Sequence, residues 1–340
     1  MARYDKLYLH FLQILERMLE DMSILVTGGA GFIGSHLVDR LLETSQITVL
    51  DNFSSGKRDH IAHVLGHPRF ALVEADLFDA GTLEDTMAGK DFVFHLAANP
   101  DVKLGAEDTK IHLQQNILAT YSLLEAMRKT GVGKIAFTST STVYGEASLV
   151  PTPENYGPLK PISLYGASKL ACEALISSYC HTFDMQSWIF RFANIVGKRG
   201  THGVLVDFIN KLKKNSTELE ILGSGQQRKS YLEVGDCVTA MVYAVEHSSD
   251  QTNIFNIGSN DAVDVTKIAN IGAESMGRGA VKYTDTGVLH GRGWKGDVKI
   301  MQLSIDALSS LGWRPVHDSG ESIKVAVDAL LEDMSECNEA

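Results

Sequence analysis

The stretch that most constrains this chain is Ile24-Leu25-Val26-Thr27-Gly28-Gly29-Ala30-Gly31-Phe32-Ile33-Gly34, an apolar run that meets a cluster of glycines. Ser35 to Leu42 continues at helical spacing, so the pattern reads as strand, tight turn and helix start. Gly28, Gly31 and Gly34 fall as G-x-x-G-x-x-G. Without side chains in the turn, backbone N–H groups at the helix start, those of Phe32 and Ile33 among them, can close on a pyrophosphate at the positive end of the helix. Gly34 lets helix and strand pack closely. A glycine triplet alone fits any βα turn, so the next strand decides. This second apolar strand, Ile47-Thr48-Val49-Leu50, ends in Asp51-Asn52. Asp51 stands about 20 residues past the glycines, where a carboxylate takes the adenosine ribose hydroxyls. A carboxylate there repels a 2′-phosphate, which points to NAD rather than NADP. Lys57 and Arg58 lie nearby and weaken that preference slightly, unless they belong to a solvated loop.

The strand–helix alternation continues. Phe70 to Leu77 reads as a third strand with Asp76 and Leu77 at its end, and Thr82 to Met87 as a short helix. Phe92 to Ala98 is a fourth strand, and its end, Leu96-Ala97-Ala98, is small enough for a flat cofactor to lie against the backbone. His95 reads as a packed strand residue, since a lone histidine without partners is weak evidence of a site. Asp108 to Lys129 predicts one long helix, with Leu113, Ile117, Tyr121, Leu124 and Met127 on its apolar face and Asn116 as a polar residue inside it. Lys134 to Thr140 is a strand ending in hydroxyls. The alternation predicts an α/β fold, a doubly wound parallel sheet whose ligand crevice lies at the carboxyl ends of the strands. Asp51, Asp76, Ala97 and Thr140 all fall on that edge.

A second chemical cluster is Tyr165-Gly166-Ala167-Ser168-Lys169. On a helix, Tyr165 and Lys169 share one face at i, i+4 spacing. An ammonium beside a phenol favours phenolate and lowers its pKa, which makes a tyrosine usable as a general base. Thr140, arriving at the sheet edge, is placed to hydrogen-bond a substrate oxygen and relay its proton.

Together these motifs resemble the extended short-chain dehydrogenase/reductases of the NAD-dependent nucleotide-sugar epimerase/dehydratase family. The resemblance runs from about Met22 to Asp333 and rests on Thr27 to Gly34, Asp51-Asn52, His95 to Ala98, Ser139 to Gly145 and Tyr165 to Lys169. It implies that Thr140, Tyr165 and Lys169 are catalytic. It also implies that Gly28, Gly31, Phe32, Ile33, Gly34, Asp51, Asn52, Asp76, Leu77, Leu96, Ala97, Ala98 and Asn116 hold NAD together with Tyr165 and Lys169. Sugar dehydratases of the family carry Asp-Glu just after the catalytic threonine, and uronic acid decarboxylases usually keep a glutamate at the second position. This chain has Ser141 and Thr142 there. Elimination needs an extra acid/base, so the pattern left is that of the 4-epimerases. Rival expectations are a dehydratase or reductase on the same scaffold, or a non-enzymatic NAD-sensing protein; the intact Tyr165/Lys169 pair counts against the last.

The resemblance further implies a dinucleotide domain over residues 22–190 and a smaller C-terminal, mainly substrate-binding domain over 191–333, interleaved with late strands of the sheet. Asn194 matches a position that holds the sugar-nucleotide phosphate, and Val204 lies in a segment resembling the helix under the base. Either Arg228 or Lys229 supplies a cation where relatives have arginine. Arg292 and Asp297 match residues that grip the diphosphate and the ribose. Thr140 doubles as a substrate contact. Pairing of two copies through the helices Asp108–Lys129 and Tyr165–Phe183 is also implied.

Composition limits the partners. The 340 residues carry a net charge of −11, which argues against nucleic acid or an anionic membrane as partner, and local cations then have to serve an anionic ligand. No apolar stretch is long enough to span a bilayer. Cys172, Cys180, Cys237 and Cys337 show no C-x-x-C pair, which predicts free thiols in a reducing cytoplasm and no metal site. Residues 1–21 carry no motif and read as an optional extension, and Glu16, Glu20 and Asp21 argue against a targeting peptide.

Overall fold

The computed structural model describes residues 18–278, 281–285, 293 and 296–339. β1 (Ser23–Thr27) runs through the glycine turn into α1 (Phe32–Leu41). Then come β2 (Gln46–Asp51), β3 (Phe70–Glu74), α2 (Ala80–Met87), β4 (Phe92–His95), α3 (Ala119–Thr130), β5 (Lys134–Thr140), α4 (Leu164–Phe183) and β6 (Gln186–Phe192). The chain leaves the sheet for β7 (Asn194–Val196), α5 (Val204–Lys214), β8 (Glu218–Ile221), β9 (Arg228–Lys229) and β10 (Tyr231–Glu233). It returns through α6 (Val234–His247) to β11 (Thr252–Ile257) beside β6. The result is a seven-stranded sheet of order β11-β6-β5-β4-β1-β2-β3, with every pair parallel. Successive strands step one way from β1 to β3 and the other way from β4 to β6, which opens the crevice at their carboxyl ends.

Ile24, Leu25 and Val26 are fully buried because β1 is covered on both faces. One face packs α1 and α6, through Leu37, Val38 and Met241. The other packs α2, α3 and α4, through Leu83, Leu123 and Ile176. A second lobe has its own core, where Phe208 and Leu212 of α5 meet Ile268 of α7 (Val265–Ser275) and Val327 of α9 (Ser319–Glu339). Its remaining pieces are the short strands β12 (Val263–Asp264), β13 (Lys282–Asp285) and β14 (Ile300–Met301) and helix α8 (Asp306–Leu311).

The predicted helix over Asp108–Lys129 differs from the one observed. Leu113–Leu118 forms a π turn that feeds α3. The wider turn rotates the residues before it relative to those after it. Leu113 and Tyr121, read onto one apolar face with Leu124 and Met127, are 48% and 47% exposed, while Leu123, Leu124 and Met127 are buried. The helix ends at Gly131, which takes the left-handed conformation at φ 78°. Of the segment read as an extension, residues 1–17 lie outside the described residues, whereas Leu19 is 2% exposed and packs on the sheet. Cys172, Cys180 and Cys237 are buried free thiols; the Cys337 side chain lies outside the described residues. Among the described residues, no helix is long and apolar enough to cross a membrane.

Candidate active site

The glycine turn is a cradle that side chains would fill. A Cβ on Gly28 would meet the Ala97 amide nitrogen at 2.6 Å, and one on Gly34 would meet the Gly28 carbonyl oxygen at 2.2 Å. α1 starts at Gly31 without a side-chain cap, so no side chain competes for its first-turn amides, including those of Phe32 and Ile33. Asp51 closes the cradle by accepting the Ala30 N–H and the Phe53 N–H, each at 2.9 Å. Burial pushes its carboxyl up, and these two amide bonds oppose the shift. A carboxylate has about four acceptor positions, so two ribose hydroxyls still find room. Asn52 donates to Asp76 at 2.7 Å, and Asp76 also accepts the Phe78 N–H beside buried Leu77. Arg58 lies over the Phe53 ring at 4.3 Å and pairs with Glu74 on the exposed surface. These residues fit the adenosine and pyrophosphate of a dinucleotide.

Tyr165 and Lys169 lie on α4, which Ser163 caps by accepting the Gly166 N–H at 3.1 Å. Tyr165 is half-buried, with its hydroxyl against that of Thr140. Burial raises the phenol well above its ordinary range, with Cys172 adding to the shift and the Thr140 hydroxyl opposing it. This departs from the expectation that Lys169 lowers it. The Lys169 Nζ instead donates to the Thr138 carbonyl at 2.8 Å and stands 4.7 Å from the Phe137 ring centre. Burial lowers the ammonium to about 8. Thr140 accepts from the Thr142 hydroxyl and from the Thr142 N–H, both at 3.2 Å. The turn after β5 thus points hydroxyls, not carboxylates, at Thr140.

Asn116 sits in the π turn, 2% exposed. It accepts the Asn99 N–H at 2.8 Å and donates to the Ser168 hydroxyl at 2.9 Å, tying the loop after Ala98 to the Tyr165 helix. Leu96, Ala97 and Ala98 are half-buried along that loop. His95 is a packed strand residue, its ring held between the hydroxyls of Thr27 at 2.7 Å and Thr120 at 3.0 Å. Burial lowers it to about 3, with the charge of Lys169 adding to the effect.

The second lobe closes on the same edge. Asn194 on β7 donates to the Ser230 carbonyl at 3.2 Å, and Val204 begins α5 just after Gly203. Of the two candidate cations, Lys229 points inward, pairing with buried Asp297 at 2.6 Å, while exposed Arg228 donates to the Ala262 carbonyl. A Cβ on Gly296 would meet the Ile162 carbonyl at 3.2 Å, which places Asp297 beside the start of the Tyr165 helix. Val298 and Met301 pack on Val143 and Tyr144, just past Thr140. Arg292 lies outside the described residues.

Two buried residues beside the site, Glu173 and Arg191, escaped notice in the sequence, and Ser139 was given no role beyond its place in the Ser139–Gly145 motif. Arg191 on β6 donates to Glu173 from Nη2 at 2.7 Å, and the Ser139 hydroxyl donates to the same carboxylate. One signal was available: Glu173 follows Lys169 at the same spacing at which Lys169 follows Tyr165.

A sheet of this order, with a glycine cradle, an edge carboxylate and a Tyr-Lys pair on the helix after β5, defines a nicotinamide-dinucleotide enzyme of the extended short-chain dehydrogenase/reductase class. Similarity to known proteins narrows the class: the profile of the NAD-dependent epimerase/dehydratase family matches residues 24–258, and the chain belongs to that family, with NAD as its cofactor. It is 33% identical over 317 residues to a UDP-glucose 4-epimerase of Mycolicibacterium smegmatis, covering 90% of this chain and 98% of the relative. It is similar to a solved UDP-galactose 4-epimerase at 42% identity and TM-score 0.81, over 92% of this chain and 100% of the other. A dTDP-glucose 4,6-dehydratase from Streptomyces venezuelae has 26% identity and TM-score 0.84, over 93% of this chain and 98% of the other.

Proposed function

We propose that this enzyme inverts C4 of a nucleotide sugar of the UDP-glucose/UDP-galactose type through a transient 4-keto sugar. The observation that carries this is the turn Ser141–Tyr144, where Thr142 supplies a hydroxyl to Thr140 at 3.2 Å. Elimination needs an acid/base beside the sugar in addition to the phenol. The nearby carboxylate of Glu173 is committed to Arg191 and Ser139.

In this mechanism Tyr165, as phenolate, takes the proton of the sugar 4-OH while the Thr140 hydroxyl holds the same oxygen. NAD, when bound, would supply a positively charged ring able to take up and return one hydride at C4, and that charge would favour the Tyr165 phenolate against the burial that raises it. The keto sugar turns about its diphosphate to present the opposite face of C4, and Tyr165 gives the proton back to the C4 oxygen. Gly28, Gly31 and Gly34 would admit the pyrophosphate to the amides of α1, Asp51 and Asn52 would hold the adenosine ribose, and Lys169 the nicotinamide ribose. Lys229, Asn194 and Asp297 would hold the nucleotide of the sugar and so orient it. Two copies would pair through the π turn, α3 and α4, where Leu113, Leu118, Tyr121, Leu164 and Phe183 are each 43% to 48% exposed.

Incubation with UDP-glucose, UDP-galactose and their N-acetylated counterparts, read by proton NMR at C4, tests the reaction. Epimeric mixtures of unchanged mass are expected. An accumulating keto sugar would replace the proposal with dehydratase chemistry.

A further inference from the structure

Glu173 has no part in the proposed reaction, yet its placement follows that of the reactive pair. Tyr165, Lys169 and Glu173 repeat at i, i+4 and i+8, one stripe of α4. That stripe meets three consecutive residues of β5. The phenol of Tyr165 meets the Thr140 hydroxyl, the Lys169 ammonium donates to the Thr138 carbonyl, and the Ser139 hydroxyl donates to Glu173. Arg191 grips the carboxylate from β6, with Nε at 3.1 Å from Oε1 and Nη2 at 2.7 Å from Oε2. Its Nη1 donates to the Tyr144 hydroxyl at 2.9 Å and to the Glu154 carbonyl at 3.0 Å. Arg191 and Glu173 are 4% and 5% exposed.

A buried ion pair is a poor way to stabilise a fold, because apolar residues of similar volume do as well or better. This pair also sits where it can act on the reactive groups. The titratable groups that interact with Lys169 are Cys172 and Glu173 on its own helix, His95 on β4 and His112 before the π turn, while Tyr165 lies one turn away on the same stripe. Burial pushes the Cys172 thiol up and both imidazoles down, towards their neutral forms. Glu173 is the carboxylate among them, and its charge opposes the loss of the Lys169 proton.

We propose that the Glu173–Arg191 pair is a positioning device for the reactive centre: its carboxylate fixes the end of β5 through Ser139 and supplies the negative charge that keeps the Lys169 ammonium protonated. The catalytic consequence rests on the epimerase proposal, but the electrostatic one does not. Arg191 holds the carboxylate in place, and Ser139 carries its position to Thr140, the next residue along the strand.

Full-length protein labelled with ε-13C lysine reads Lys169 directly, the resonance being assigned by its loss in Lys169→Met. In Glu173→Gln the anion is gone and Arg191 is uncompensated, so the Lys169 titration should fall by about one pH unit. The alkaline limb of kcat should follow it while KM for the sugar nucleotide holds. Glu173→Gln combined with Arg191→Gln should recover only the part of the shift that the uncompensated guanidinium adds, and full recovery would overturn the proposal. Ser139→Ala leaves the ion pair in place and should lower kcat by about tenfold at unchanged KM, because it loosens Thr140. A folded Glu173→Gln variant with the parent Lys169 titration would overturn the proposal. Should that variant not fold, Ser139→Ala decides alone, and parent-like kcat overturns it. The lysine titration needs no turnover, so a parent that fails to epimerise UDP-hexoses would sink the proposed function and leave this result standing.

Discussion

Tyr165→Phe is the substitution that most directly tests the chemistry. It removes one hydroxyl and keeps the ring, which packs edge-on against His112 at 5.6 Å between centroids. The hydroxyl's partner is Thr140, so the loss is one hydrogen bond, worth about 0.5 to 1.5 kcal/mol, offset by no longer burying a phenol. The fold and its bound NAD should survive. Turnover should not. General-base loss is worth about 100- to 10,000-fold, or roughly 3 to 5.5 kcal/mol of barrier. Three neighbouring groups are already engaged: Lys169 is held by the Thr138 carbonyl, His95 is locked between two threonines, and Glu173 is bound to Arg191. Thr140→Ala should cost less, because that hydroxyl assists without carrying the proton away. The assay is C4 interconversion of UDP-glucose by NMR, alongside a thermal melt and the NAD content of the purified protein. Turnover within about tenfold of the parent would show that another group is the base.

Lys169→Met should stabilise the ligand-free protein at neutral pH. The folded pKa near 8 lies below the unfolded 10.5, so the cost of burying the charge is full below pH 8 and fades as pH rises to 10.5. A gain of about 2 to 3 kcal/mol in urea titrations at pH 7, vanishing by about pH 10.5, is expected; a gain independent of pH would contradict the assignment. His95, at about 3 when folded against 6.5 unfolded, binds its proton mainly in the unfolded chain between those values. Stability should therefore fall as pH drops from 6.5 to about 3, and melting curves of His95→Gln should show a shallower fall. Removing residues 18–21 in addition to 1–17 should lower the melting temperature, since Leu19 is buried and its carbonyl accepts the Ser45 hydroxyl; equal melting of the two truncations would refute this. Light scattering at micromolar concentration should give a dimer mass, and Tyr121→Arg with Leu118→Glu should give a monomer with unchanged circular dichroism.

Much of this molecule was legible in the sequence because local rules wrote it there. A glycine triplet between an apolar run and a helical pattern admits few structures, and parallel strands buried on both faces read as unbroken apolar runs. The carboxyl-edge positions of Asp51, Asp76, Ala97 and Thr140 followed from where each strand pattern stopped. Position along the chain does not encode what surrounds a charge. Lys169 was expected to lower the Tyr165 phenol from helical spacing alone, but packing turned its ammonium to the Thr138 carbonyl and the phenol to the Thr140 hydroxyl, so burial decides both groups. The π turn at Leu113–Leu118 leaves no mark in an i+3/i+4 pattern, yet it exposes Leu113 and seats Asn116 between Asn99 and Ser168. Arg228 and Lys229 were interchangeable until the pairing of β9 turned one inward to Asp297. Glu173 and Arg191 come from a helix and a strand whose meeting with Ser139 exists only once the sheet is assembled. Periodicity sets which face of an element is apolar, whereas the energy of a charge depends on every atom around it, and those atoms are gathered only by the tertiary fold.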